Sequence, residues 1–339
     1  MFHNIFVFYK RFRNLIIKSS KYILFFQIII LLFSSYHEIP FFFIKLFLSK
    51  NIINEYKAKL CICTIGKEEN KYIKEFVNHY KALGVDKIFL YDNNDINGEN
   101  FENILSEYIN FKDGFIEIFN KRGKIQPQLK VYEECYNKNK KNYDWFIFFD
   151  IDEFIHLDNY SSINDFLSEK KFEKCKLIYF NCLRHSDNNQ LFYDNRTLKE
   201  RFPIILWNST MYTLKTIMRG NFTKKIKFTT SHWLNRGLKD GCDVEGNKVI
   251  PKRSVKIGNK INHILHKSYY IDHYCFKSTE EYINKINKGD GIFGYSNRIK
   301  MHKLNIYFGY NKITIEKINL IENKTGLNLR KFKLKIKKK

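Results

Sequence analysis

The sequence predicts an α/β protein with a mostly parallel, Rossmann-like sheet flanked by helices and an apolar, membrane-associated N-terminal segment. Three observations lead there. Between Leu60 and Glu153, apolar runs of strand length alternate with segments of helical period. Polar clusters at 64–69, 92–95 and 150–153 succeed three of those runs, at the strand ends where open α/β sheets hold ligands. The first 57 residues differ in kind from the rest of the chain, dividing it into a basic and apolar segment (1–57), a catalytic-type domain (58–300) and a basic C-terminal extension (301–339).

Residues 61–65 form a buried-strand run that stops at Gly66; Tyr72, Ile73, Phe76, Val77, Tyr80 and Leu83 then recur at helical spacing up to Gly84. Residues 87–91 read as the next strand and 92–95 as its turn. A helix at about 99–108, a strand at 115–119 and a helix opened by Pro127 and running to about Lys138 come next. The strand 145–149 runs directly into Asp150-Ile151-Asp152-Glu153. Apolar strands separated by helices imply a sheet covered on both faces. Further on, Ser278-Thr279-Glu280-Glu281 reads as a capping box opening a helix over 280–288.

Of 339 residues, 59 are Lys or Arg and 35 are Asp or Glu, for a formal charge of +24, while 44% are hydrophobic. That composition supports a folded core and excludes a disordered tail. Lys and Asn are abundant throughout, so part of the charge is compositional; the remainder suits an anionic membrane surface or a phosphorylated substrate. Nucleic acid is not expected, because no DNA- or RNA-binding signature accompanies the charge. Seven cysteines without paired C-x-x-C spacing argue against a disulfide scaffold or zinc ribbon and for a reducing compartment.

At the N-terminus, Lys10, Arg11, Arg13, Lys18 and Lys21 precede an apolar run at 22–33, and a second run at 41–48 comes after Pro40. A spanning helix needs ~20 apolar residues, and neither run reaches that alone. Interfacial or re-entrant anchoring on anionic lipid is the expectation, with the basic stretch 330–339 in a supporting role. A single span with a luminal catalytic domain is the alternative.

Asp150 and Asp152 flank Ile151, so in extended chain both carboxylates face one side. Two such oxygen ligands suit Mn²⁺ or Mg²⁺, which neutralises a diphosphate leaving group. An Asp-x-Asp also occurs in solvated turns; its place at the end of an apolar strand favours the site. Neither GxxxxGK[ST] nor a GxGxxG after the first strand is present, so a diphosphate would rely on metal and on Lys67, Lys121 or Arg122. Asp92 suits either a ribose contact or an Asx turn. The histidines at 232, 263, 266 and 273 lack an HExxH pattern and are structural or ligating one by one.

Together these motifs resemble glycosyltransferase family 92 and its bacterial family-2-like relatives. The resemblance rests on Cys61-Ile62-Cys63-Thr64-Ile65-Gly66-Lys67-Glu68-Glu69, Tyr91-Asp92-Asn93-Asn94 and Phe149-Asp150-Ile151-Asp152-Glu153-Phe154. Ser186-Asp187-Asn188, Tyr193-Asp194-Asn195-Arg196, Asp272-His273-Tyr274, Lys277-Ser278, Lys285 and Lys288-Gly289 continue in the family's order. It implies a GT-A fold and inverting transfer of a hexose, typically from a UDP-sugar, to a glycan. On that basis Asp150, Asp152 and His273 hold the metal, with His232 a rival ligand. Thr64, Lys67, Glu69, Asp92 and Asn94 line the nucleotide pocket, Gln128 touches sugar or phosphate, and Lys277 holds the diphosphate. Asp187 is the expected base, against Asp240, Asp243 and Glu245. The family's usual Lys-Asn-Glu reads Lys67-Glu68-Glu69 here.

The functional expectation is therefore a metal-dependent hexosyltransferase of surface polysaccharide or lipopolysaccharide biosynthesis, acting on a glycan or lipid-linked glycan. Its place would be the cytoplasmic face of a bacterial inner membrane. A metal-dependent nucleotidyltransferase or phosphodiesterase, and a non-catalytic basic membrane- or glycan-binding module, are the alternatives.

Overall fold

A computed structural model describes residues 57–109, 114–125, 127–206, 213–221, 226–230, 233–234, 241–249, 267–288, 296–311, 314–326 and 328–329. The N-terminal apolar runs, His232, Asp240, His263, His266 and the tail 330–339 lie outside them. Among the described residues no helix is long and apolar enough to cross a membrane.

Strand β1 (Leu60–Gly66) pairs in parallel with β2 (Lys87–Asp92) and β4 (Trp145–Ile147), and β2 with β3 (Ile116–Asn120). Alternation along β1 builds two cores: Leu60 and Ile62 enter one, Cys61 and Cys63 the other. Helix α1 (Asn70–Ala82) seals the first with Tyr72, Ile73, Phe76, Val77 and Tyr80. Helix α2 (Gln128–Asn139) seals the second with Val131, Tyr132, Cys135 and Tyr136. The helix expected at about 99–108 is two short turns, Phe101–Ile104 and Ser106–Ile109, the first capped by Asn100. A Cβ on Gly66 would lie 2.3 Å from Ile151 Cδ1 and 2.7 Å from Phe101 Cζ. Only glycine lets the site-bearing end of β1 approach Ile151 so closely.

Beyond β4 the sheet departs from the mostly parallel expectation. β5 (Glu153–Leu157), β6 (Leu177–Arg184), β7 (Thr213–Arg219), β10 (Gly241–Asp243), β11 (Lys248–Val249) and β12 (Tyr269–His273) complete it, while β8 (Phe228–Thr230) and β9 (Trp233–Leu234) form a separate pair. β7 runs antiparallel between β4 and β6, and β12 lies antiparallel to β5 and parallel to β6. The architecture is a mixed sheet. Its reversed members, β5, β7 and β11, all come after Asp152, and local periodicity does not reveal strand direction.

Helices α3 (Thr279–Lys288), α4 (Asn297–Asn311) and α5 (Ile315–Thr325) share a third core around Tyr282, Ile283, Tyr307, Phe308, Ile318 and Ile321. The capping box at Ser278 is present, with Ser278 Oγ accepting from Glu281 N and Glu281 Oε2 accepting from Ser278 N. The C-terminal extension thus contributes packed helices as far as Thr325.

The cysteines overturn the expectation of unpaired thiols. Cys63 bonds Cys135, tying β1 to α2, and Cys175 bonds Cys242, tying the start of β6 to β10. Cys61, Cys182 and Cys275 stay outside both bonds. With sequence separations of 72 and 67 between partners, each bond restricts a long loop of the unfolded chain and contributes about 4 kcal/mol. Non-reducing peptide mapping should recover both linkages, and the Cys63→Ser/Cys135→Ser variant should unfold at distinctly lower urea.

His79 on α1 faces the carbonyl of Ile155 at 3.1 Å. Burial depresses its imidazole to about 4, against the partial relief of that carbonyl. A depressed folded-state value means stability is complete above pH 6.5 and is lost as pH falls through 4. Urea midpoints measured from pH 7 to 4 should show this acid limb, and His79→Gln should flatten it.

Candidate active site

Four carboxylates, Glu69, Asp150, Asp152 and Glu153, gather where β1, β4 and β12 end and β5 begins. Asp150 leaves β4 and is held by three donors: Gln128 Nε2 at 2.9 Å and Tyr132 OH at 3.2 Å on Oδ1, and Lys215 Nζ at 2.8 Å on Oδ2. Gln128 and Tyr132 are one helical turn apart on α2, which places both over the same oxygen. Gln128 is therefore turned onto Asp150. Lys215 is completely buried on β7 and also meets Glu153 Oε2 at 2.9 Å. Burial opposes the lysine's charge, yet Asp150 and Glu153 outweigh it and hold the ammonium form. Burial raises the Glu153 carboxyl to about 8, with Lys215 opposing and the neighbouring Asp150 and Asp152 adding to the rise.

Asp152 is buried with Lys285 Nζ 2.7 Å from Oδ2. Burial alone would raise its carboxyl; Lys285, His273 and Lys277 overcome that and hold it well below the usual range. Its other oxygen, Oδ1, lies 3.6 Å from His273 Nε2, which is 3.8 Å from Glu153 Oε1. Burial depresses the imidazole to about 3 against the pull of Asp152, which leaves the neutral, ligating form. These gaps exceed a hydrogen bond, so the facing donor atoms do not satisfy one another directly. Glu153 Oε1 is buried without a hydrogen-bond partner. The donor types suit a divalent cation: Asp152, His273 and Glu153 converge, while Asp150 is engaged by Lys215.

A second cationic group faces the end of β1. Lys277, in the left-handed region at φ +54°, lies over the Tyr72 ring and donates to Glu69 Oε2 at 2.8 Å. Burial lowers its ammonium, and Glu69 opposes the shift. Lys288 donates to the Lys67 carbonyl and lies 3.7 Å from Glu69 Oε1. Lys67 itself pairs with Asp95 at 2.6 Å. Asp92 forms the Asx turn, its Oδ1 accepting from Asn94 N at 2.9 Å, and Asn94 Oδ1 accepts from Glu68 N at 2.7 Å. Thr64 Oγ1 and Asn94 Nδ2 are buried without a partner, leaving one acceptor-donor hydroxyl and one amide donor to offer a ligand. Arg122 clamps the carbonyls of Asp95, Gly98 and Glu99, and Lys121 pairs with Glu134. Neither needs a phosphate to explain its place.

Asp187 meets a different geometry from that expected of a base. It is buried beside the third core, with Oδ1 accepting from Asn189 N and Oδ2 from Tyr307 OH at 2.8 Å. Burial raises its carboxyl, and Tyr307 leads the opposing contacts. This carboxylate fastens α4 to the 187–190 turn. Loss of a general base costs 10²–10⁴ in rate; Asp187→Asn should instead keep turnover within severalfold and lower the melting temperature. Asp243 is likewise taken up by Glu245 N and Asn247 N, and Glu245 lies 3.6 Å from Lys171.

Lys285 carries only a motif resemblance in the sequence, and Lys215 and Tyr132, which also contact these carboxylates, belong to no motif. A lysine inside the apolar stretch Leu214–Met218 and a tyrosine four residues after Gln128 are the signals that could have found two of them.

The profile of glycosyltransferase family 92 matches residues 56–304. The chain belongs to glycosyltransferase family 92. It is 28% identical over 111 residues to a family 92 protein of Ricinus communis, covering 32% of this chain and 19% of that one. It is 30% identical over 112 residues to one of Arabidopsis thaliana, covering 31% and 18%. The family 92 chain thus spans about a fifth of the length of the curated relatives it matches. Among solved structures it is similar to S. aureus TarS 1-349 (12% identity, 80% and 76% coverage, TM-score 0.35). It is also similar to GalNAc-T7 with UDP, GalNAc and Mn²⁺ (13% identity, 73% and 41% coverage, TM-score 0.31).

Proposed function

We propose that this family 92 chain is a GT-A glycosyltransferase that moves a hexose, with inversion, from a nucleoside-diphosphate sugar, UDP-linked in the first instance, to a glycan hydroxyl. The observation that carries the reading is the meeting of Asp152, His273, Lys277 and Lys285 at the end of β1 that bears Glu69. In the transfer, the acceptor oxygen bonds the anomeric carbon as the bond to the diphosphate oxygen breaks, and the acceptor proton leaves to a base. Asp152, His273 and Glu153 would hold Mn²⁺ or Mg²⁺, which supplies Lewis-acid neutralisation of the diphosphate. Lys277 and Lys285 bring ammonium groups to the same leaving group, and Thr64 and Asn94 offer hydrogen bonds to the nucleoside.

The acceptor proposed is a glycan or lipid-linked glycan of surface polysaccharide biosynthesis at an anionic membrane surface. Of the two settings considered, the cytoplasmic face of a bacterial inner membrane and a luminal domain behind a single span, the two disulfides favour the second, oxidising one.

The test is a panel of UDP- and GDP-sugars with and without Mn²⁺, monitoring nucleotide release and sugar transfer. Metal-dependent release of nucleoside diphosphate from one donor, with the sugar recovered on an acceptor, supports the reading. Release of nucleoside monophosphate or sugar phosphate would move it to a nucleotidyltransferase or phosphodiesterase. Metal-independent binding without turnover would leave a binding module.

A further inference from the structure

The double pairing of β12 assembles a group of ligand-type side chains reaching beyond the Asp-x-Asp motif. His273 lies directly across from Glu153 on β5, and Cys182 on β6 lies across from Ile271, two residues before His273. Residues two apart on a strand share a face, so carboxylate, thiol and imidazole point to one side. One ligand atom from each lies within 4.8 Å of the other two. Glu153 is wholly buried, and its Oε1, 3.8 Å from His273 Nε2, is buried without a hydrogen-bond partner. Leaving such polar atoms unsatisfied costs free energy, and a metal cation is the ligand that carboxylate, imidazole and thiolate satisfy together.

We propose that Glu153, Cys182 and His273 form a binding site for a divalent cation of the zinc class. The donor set carries the choice. Carboxylate, imidazole and thiolate with a fourth position open are zinc and cobalt ligands, whereas Mg²⁺ takes oxygen donors and discriminates against sulfur. Charge agrees. Asp150, Asp152 and Glu153 pair with Lys215 and Lys285, while Lys277, itself paired with Glu69, also acts on Asp152; with every carboxyl ionised these groups sum to one net negative charge, which a divalent ion bound with the Cys182 thiolate neutralises. Glu153 and His273 are common to this site and to the position shared with Asp152, so one ion is held there, and the thiol makes that ion softer than carboxylates and imidazole alone would select. The site stands on strand register and donor chemistry, and does not need the transferase reading to be true.

The experiment is a cobalt titration of the metal-free full chain by absorption spectroscopy, with circular dichroism to confirm folding of each variant. An equimolar thiolate-to-cobalt charge-transfer band, displaced by Zn²⁺ and not by Mg²⁺, is expected. Cys182→Ser should abolish the band, and Glu153→Gln should weaken cobalt binding by about tenfold or more. Cys61→Ser and Cys275→Ser should leave the band in place. A folded wild-type chain without the band, or a band that persists in Cys182→Ser, overturns the site. A band with no turnover of any nucleotide sugar overturns the proposed activity alone, and Mn²⁺-dependent turnover with no band overturns the site alone.

Discussion

Asp152→Asn is expected to lower donor turnover by about 10³-fold, or roughly 4 kcal/mol of transition-state stabilisation. The carboxylate lies between Lys285 on one oxygen and His273 on the other. The amide keeps the shape and removes the negative charge that holds the Lys285 ammonium and that, on the proposed function, would hold a cation beside the leaving group. Nucleotide release in saturating Mn²⁺ measures the effect. The double variant Asp152→Asn/Lys285→Met separates charge imbalance from chemistry: it should restore thermal stability lost in the single variant and leave turnover low. Turnover within tenfold of wild type in Asp152→Asn would remove Asp152 from the mechanism.

The second large effect concerns stability. Lys215→Met should destabilise the fold by about 3–5 kcal/mol, because it strips the counter-charge from Asp150 and Glu153 while Glu153 stays fully buried. Adding Glu153→Gln to that background should recover a substantial part of the loss, since the remaining carboxylate, Asp150, is about one-third exposed and keeps Gln128 and Tyr132. Urea unfolding of the two variants tests the pair. A single-variant loss below 1 kcal/mol would mean that Lys215 does not neutralise the cluster.

The first half of the fold was legible because its signals are local. The apolar run before Gly66, the helical spacing from Tyr72 to Tyr80 and the proline before Gln128 each specify an element within a dozen residues. Asp150 and Asp152 were legible for the same reason. The rest acts over distance. Lys215 reaches Asp150 across 65 residues and Lys285 reaches Asp152 across 133. Tyr307 captures Asp187 across 120, so a carboxylate that reads as a base from its motif becomes a tie between a turn and a helix. The cysteine pairs are the same case, since their spacing is set by the order of strands β1, β6 and β10 and leaves no local mark.

That long reach fixes when the site comes into being during synthesis. Glu69 waits for Lys277, 208 residues later, and the Lys67 carbonyl waits for Lys288, 221 later. Closing loops of that size is slow and precedes any reward from the contacts it brings together. As the chain leaves the ribosome, β1, β2, β4 and their covering helices can pack early, while Asp152 and Glu153 stand without His273 and Lys285. A nascent chain ending before β12 therefore has Lys215 for Asp150 and Glu153 but no counter-charge for Asp152, which the final strand and α3 supply together. Stalled chains truncated at residue 268 should remain protease-sensitive around β5, and chains extended past residue 288 should not.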